Sequence, residues 1–155
     1  MHTFLDYYKR EVQLSFEDHP FSANPMHVWV ICRYRNQWLL TNHKKRGLEF
    51  PGGKVEKSEK AEQAACREVL EETGADISSL RYIGQYQIPT EQICKNIYYA
   101  EIHTLETKED YLETDGPVCV SHFPKNLRQD EHYSFIMKDH VLTHCLSYID
   151  TQGLI

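Results

Sequence analysis

The chain has 155 residues, 41% hydrophobic and 26% charged, which is the composition of an ordinary globular protein and the length of a single domain, expected here over residues 1–155. A formal net charge of −6 argues against a broad footprint on duplex nucleic acid, and no apolar run approaches the roughly eighteen residues of a membrane helix. The start, Met1-His2-Thr3-Phe4-Leu5-Asp6, has neither the basic nor the apolar region of a secretory signal. The five cysteines (Cys32, Cys66, Cys94, Cys119, Cys145) form no Cys-x-x-Cys pair, so a reducing, cytoplasmic setting with free thiols is expected.

Val12, Leu14 and Phe16 alternate with polar neighbours, the period of a half-buried strand, until His19-Pro20 breaks the ladder. His27 to Tyr34 is nearly all apolar and predicts a central strand, which Arg35-Asn36-Gln37 turns into Trp38–Thr41 as a hairpin. A basic connector, His43 to Gly47, leads into Leu48-Glu49-Phe50-Pro51-Gly52-Gly53. Ser58 as N-cap and Gly74 just past the end bound a helix from about Glu59 to Thr73.

Leu80, Tyr82, Gly84, Tyr86 and Ile88 alternate again, as do Ile97 to His103 after a loop over Pro89–Cys94, giving a second antiparallel pair. Glu106 to Asp110 is a solvated charge run, Asp115-Gly116-Pro117 a turn and Val118–Phe123 a short strand. Tyr133 to Ile149 reads as one long amphipathic helix with Phe135, Leu142, Leu146 and Ile149 on a stripe. His140 and His144 have the spacing of a metal pair on that helix, but no third ligand accompanies them. The sum is an α/β (α+β) architecture, a mixed sheet sandwiched between helices.

Chemistry concentrates between Gly53 and Ala75, where Gly53, Glu59, Arg67, Glu68, Glu71, Glu72 and Gly74 stand at fixed offsets. Glu68, Glu71 and Glu72 fall at i, i+3 and i+4, within an arc of about 100° on one helix face. Like charges that close repel one another, and hard divalent cations such as Mg²⁺ would relieve the repulsion. Ala61, Ala64, Ala65 and Val69 on the opposite side let the helix lie close to a sheet. Gly52 and Gly53 let the main chain approach an ion or a phosphate, or make a plain tight turn. Lys54 meets phosphate as a point charge or is solvated. Arg67 braces the loop by pairing with Glu71 or Glu59. Hydrolysis of a phosphoanhydride needs an aligned water, neutralised phosphate oxygens and a base, for which Glu68 is the first candidate and Glu71 the second.

The stretch Gly53–Ala75 resembles the signature of the Nudix hydrolases, departing only at Ala75, where a larger aliphatic residue is usual. Leu48–Glu56 is similar to the MutT-type branch. Val12–Phe16, His27–Arg33, Lys95–Tyr98, Glu113-Thr114, Gly116–Val118 and Ser134–Asp139 are similar to the bacterial YtkD-type nucleoside triphosphatases. The resemblance implies the Nudix α/β/α sandwich, dependence on Mg²⁺ with Mn²⁺ tolerated, and hydrolysis of nucleoside triphosphates such as dGTP and 8-oxo-dGTP to monophosphate and pyrophosphate. It also implies an antimutator, pool-cleaning role.

Carried over residue by residue, Gly52 would offer a carbonyl to the metal, and Glu68, Glu71 and Glu72 their carboxylates. Glu113, or Asp115 in its place, would add one more from a later loop. Gly53, Lys54 and Phe50 would meet the substrate, Phe50 alternatively belonging to the core. Two other readings stay open. One is removal of pyrophosphate from triphosphorylated RNA 5′ ends, which the basic His43-Lys44-Lys45-Arg46 favours. The other is a non-catalytic nucleotide-binding protein, which typically lacks one or more of the glutamates that are all present here. The preferred base, the phosphorus attacked, the number of metal ions and the oligomeric state are not set by the sequence.

Overall fold

A computed structural model describes residues 1–155. Its sheet is built around β3 (His27–Tyr34), whose eight residues are mostly apolar because both faces are covered. Trp29 and Ile31 point into one cluster and Val28, Val30 and Cys32 into the other. β3 runs parallel to β8 (Ile93–Leu105), whose residues divide in the same way: Ile97 and Tyr99 to the first cluster, Tyr98, Ala100 and Ile102 to the second.

Around this pair the order is β1 (His2–Leu5), β2 (Glu11–Ser15), β7 (Ala75–Ile88), β8, β3, β4 (Gln37–His43), β5 (Gly47–Glu49). β6 (Gly52–Lys54) pairs with the start of β3, and β9 (Thr114–Val120) with β4. The β3–β4 hairpin closes on Arg35 and Asn36, both at positive φ, and β7–β8 is the second antiparallel pair. Helix α1 (Ala61–Thr73) covers the second cluster and α2 (His140–Thr151) the first, which completes the expected α/β/α sandwich.

Helix α1 docks through Ala64, Ala65, Val69 and Thr73, all fully buried. A larger side chain at Ala64 or Ala65 would overpack the interface, at a cost of about 1–3 kcal/mol. The helix starts later than expected. Ser58 lies at φ 65, outside the extended region an N-cap requires, and Lys60 is the cap, its N–H donating to the Gln63 side chain at 2.8 Å. Glu59 is thereby left off the helix and free to reach Arg67. The far end is as expected: Gly74 takes φ 77 and its N–H closes on the Leu70 carbonyl at 2.9 Å.

Two other expectations are corrected. Asp115-Gly116-Pro117 is no turn between elements; it lies inside β9, where Gly116 at φ 97 accompanies a register shift against Thr41 and His43. The long helix over 133–149 is divided into a 3₁₀ turn, Phe135–Met137, and α2. Extended residues at Ser134 and Asp139 interrupt it, and their side chains accept from the N–H groups of Ile136 and Val141. The strand β1 had no periodic signal, since its four residues are an exposed edge. His140 and His144 pack β1 onto α2, His144 stacking on His2 at 4.0 Å. All five cysteines are free, and no helix is long and apolar enough to cross a membrane.

Candidate active site

The segment Gly52–Thr73 is tied into one unit by Arg67. Its Nε and Nη2 donate to the two oxygens of Glu59 at 2.8 and 3.0 Å. Nη2 also reaches the Lys54 carbonyl at 2.9 Å, and Nη1 reaches Glu68 Oε1 at 2.9 Å and Glu71 at 3.3 Å. Its hydrogen bonds hold the Glu59 carboxyl below the usual range. Both partners expected of Arg67 are therefore engaged at once, and the loop before α1 is clamped to the helix face. At the other end of α1 the Glu72 carbonyl accepts from Thr41 and Thr114 hydroxyls at 3.0 and 3.1 Å, which fixes the last turn over the sheet.

The three glutamates part company. Glu68 and Glu72 line a cavity of about 500 Å³, whereas Glu71 does not and leans toward Arg67. Glu72 accepts from the Gly52 N–H at 3.3 Å. Burial, with Glu68 and Glu49 nearby, pushes its carboxyl up to about 9; burial pushes Glu68 up to about 7 against the pull of Arg67. The glycines are required by closeness: a Cβ on Gly52 would collide with the Val28 carbonyl, and one on Gly53 with the Glu68 carboxylate.

These features fit a hard divalent cation. Two half-buried carboxylates face one cavity, lifted toward protonation by burial, Glu68 against the pull of Arg67 and Glu72 against that of Arg46. No three acidic, histidine or cysteine side chains make a closed cage. Glu68 and Glu72 would thus share the ion with water and substrate oxygens, an arrangement suited to Mg²⁺.

The remaining expected residues are placed as follows. Lys54 and Glu113 line the same cavity, Glu113 exposed at its rim. Asp115 lies instead beside Lys44 and Lys45 in an adjoining depression. Phe50 is fully buried among Trp29, Trp38 and Phe123, with ring centroids 5.7–6.0 Å away, so it supports the site from the core and does not line it.

The cavity also has a second end that sequence reasoning passed over: His27, Trp29, Ile93, Lys95, Phe135 and Ile136. One signal was available. His27 shares the inward parity of Trp29 and Ile31, and Lys95 that of Ile97 and Tyr99, so each is a polar residue at a core-facing position. Arg46 and Glu49, joined by hydrogen bonds of 2.8 and 3.1 Å, form the side wall.

The family model for the NUDIX domain matches residues 23–118. The chain is 55% identical, over its full length and 99% of the relative's, to YtkD of Bacillus subtilis (strain 168), provisionally named an 8-oxo-dGTP diphosphatase. A crystal structure of the Bacillus subtilis pyrophosphohydrolase BsRppH, carrying a glutamate-to-alanine substitution, matches with a TM-score of 0.96 at 55% identity, covering 99% of this chain and 98% of that one. A NUDIX-family hydrolase from Clostridium perfringens shares the fold, with a TM-score of 0.56 at 21% identity over 79% of this chain and 98% of that one. With that match spanning the clamped loop, the glutamate-bearing helix and the sheet beneath them, the chain belongs to the Nudix hydrolase family.

Proposed function

We propose that this single-domain Nudix hydrolase splits nucleoside triphosphates, dGTP and 8-oxo-dGTP among them, into monophosphate and pyrophosphate, in a cytoplasmic pool-cleaning role. The observation that carries the reading is the pair of half-buried carboxylates, Glu68 and Glu72, lining a cavity large enough for a nucleotide. The name of the 55% identical relative supports the choice of substrate.

Glu68, Glu72 and the Gly52 carbonyl would hold Mg²⁺ or Mn²⁺, with Glu113 approaching from the rim, while Glu71, outside the cavity, would join them on giving up its bond to Arg67. The ion, when bound, neutralises phosphate oxygens and makes the attacking water more acidic. Arg67 occupies Glu68 Oε1, which leaves Oε2 to take the proton as the water oxygen bonds to phosphorus and the bridging P–O bond breaks. Arg67 itself is a positioning residue: it holds Glu68 and the Lys54 backbone in register. Lys54 lends a point charge to the phosphates, and Gly53 leaves room for the Glu68 carboxylate.

A specific observation keeps RNA 5′ ends as the second reading. Phe135, on the cavity wall, packs at 4.9 Å on exposed Tyr8, and Tyr7 beside it lies under Lys138. That surface offers aromatic faces to a following base. Side-by-side turnover of 8-oxo-dGTP, dGTP and a 5′-triphosphorylated oligonucleotide with Mg²⁺ tests the order. Higher kcat/KM on the nucleotides supports the proposal, and a preference for the oligonucleotide reverses it. Failure to release pyrophosphate or phosphate from any of them would leave a nucleotide-binding protein without turnover.

A further inference from the structure

The charge run between β8 and β9 is solvated at its acids but not at its lysine. Glu106, Glu109 and Asp110 are exposed, whereas Lys108 is half-buried, because its side chain turns back onto the end of α1. Its Nζ donates to the Leu70 carbonyl at 3.3 Å and to the Glu71 carbonyl at 3.2 Å. The approach depends on Gly74, where an added Cβ would collide with the Glu106 carbonyl and press on the Lys108 side chain. Tyr111 fixes the loop from the other side. Its hydroxyl accepts from the Lys108 N–H at 3.0 Å, and its ring centre lies 5.8 Å from Nζ.

The last turn of a helix leaves carbonyls without partners and carries a partial negative charge. Helix α1 sharpens both problems, since that turn has no basic residue and holds Glu71 and Glu72 against the dipole. Residues outside the helix make up the shortfall. Lys108 takes the Leu70 and Glu71 carbonyls and brings a cation, and the Thr41 and Thr114 hydroxyls take the Glu72 carbonyl. Three consecutive carbonyls are thereby held by side chains from other segments. Lys108 does not line the cavity, whereas Glu113, five residues on, stands at its rim. Any effect of Lys108 on the site is therefore carried by α1.

We propose that Lys108 is a positioning residue for the metal-binding face of α1. By holding the Leu70 and Glu71 carbonyls it keeps the last turn wound, and so fixes the Glu71 and Glu72 carboxylates relative to Glu68, the Gly52 carbonyl and Glu113. The inference rests on the reading of those groups as ligands of a divalent cation. Helix ends fray first, and a frayed last turn would take Glu72 off the face it shares with Glu68. The charge of Lys108 works in the opposite direction, because a nearby cation repels Mg²⁺. Losing the charge alone would tighten metal binding; losing the anchor weakens it. The sign of the change separates the two.

Mn²⁺ binding to nucleotide-free protein is followed by the paramagnetic resonance of the free ion, in the wild type, Lys108→Met and Lys108→Arg. Hydrogen exchange along α1 and thermal unfolding are measured beside it. Lys108→Met should raise the Mn²⁺ Kd by about 3- to 10-fold. Exchange should quicken at the last turn of α1 and stay as it was around Ala64 and Ala65. Lys108→Arg keeps donors and charge, and should bring the Kd back to within about twofold of the wild type. At saturating nucleotide, the Mg²⁺ concentration that gives half-maximal turnover should rise in Lys108→Met by the same factor as the Kd.

Unchanged or tighter Mn²⁺ binding by Lys108→Met overturns the inference. So does a loss of equal size in Lys108→Arg. A lower melting temperature with Mn²⁺ affinity intact also overturns it and leaves Lys108 a contributor to stability alone. A wild-type protein that binds no Mn²⁺ would sink the metal reading together with this inference; wild-type binding that Lys108→Met does not weaken would sink this inference only.

Discussion

The two ends of the cavity are built from opposite kinds of unfinished business. At the α1 end, Glu68 and Glu72 are acids pressed together with too little positive charge. At the β3–β8 end, Lys95, His27 and Trp29 are donors with too few acceptors. Each end is incomplete in its own way: the first is short of positive charge, the second of acceptors. The local means differ as well. The acid end is held by a hub within one short segment, Arg67 binding Glu59, Glu68, Glu71 and the Lys54 carbonyl. The donor end is held by strand register between segments about seventy residues apart in sequence.

The largest expected effect tests the acid end. Glu68→Gln keeps the shape and the bond to Arg67 but cannot take a proton, so kcat should fall by about 10²–10⁴-fold while the melting temperature stays or rises. Near-full activity in this variant would remove Glu68 from the base role. Arg67→Met should come next. It releases the loop and leaves Glu59 and Glu71 unpaired, costing of order 2 kcal/mol in denaturant unfolding and lowering kcat more than it raises KM.

A smaller effect contrasts the ends by pH, in metal-free protein. The Glu72 carboxyl is raised from 4.5 to about 9 by burial, so the folded state keeps a proton the unfolded chain gives up. Its contribution to stability is whole below about pH 4.5 and is lost as pH rises through 9. Lys95 is lowered by burial from 10.5 to about 8, so its contribution is whole above 10.5 and is lost as pH falls through 8. Thermal unfolding between pH 5 and 9 should therefore show Glu72→Gln flattening the decline toward alkaline pH. Lys95→Met should raise stability most at the acidic side of 8. The reverse pattern would mean that neither group is buried as described. Added Mg²⁺ should stabilise the wild type at alkaline pH, where the carboxylates are ionised, and do less for Glu72→Gln.

The same contrast explains what could be read from the sequence. The acid end was legible because its geometry is written in a single helix and the loop before it: fixed offsets place Glu68 and Glu72 on one face, and Gly74 ends the helix where expected. Even there, the helix start was misread, because nothing local says that Ser58 takes a positive φ and leaves capping to Lys60. Phe50 could not be assigned from sequence, since an aromatic residue next to Pro-Gly-Gly fits a core as well as a ligand wall; packing among Trp29, Trp38 and Phe123 places it in the core. The break between Phe135–Met137 and α2 depends on Asp139 being extended, although its apolar neighbours keep a helical period. The donor end was half legible. His27 and Lys95 each violate the inward pattern of its strand, but only the parallel pairing of β3 with β8 brings them together.

The most direct measurement is of the products formed from dGTP and 8-oxo-dGTP by the wild-type protein with and without Mg²⁺, resolved as pyrophosphate or orthophosphate. The predicted result is Mg²⁺-dependent release of pyrophosphate and the nucleoside monophosphate from both. Release of orthophosphate in its place, or equal turnover after chelation, would contradict it.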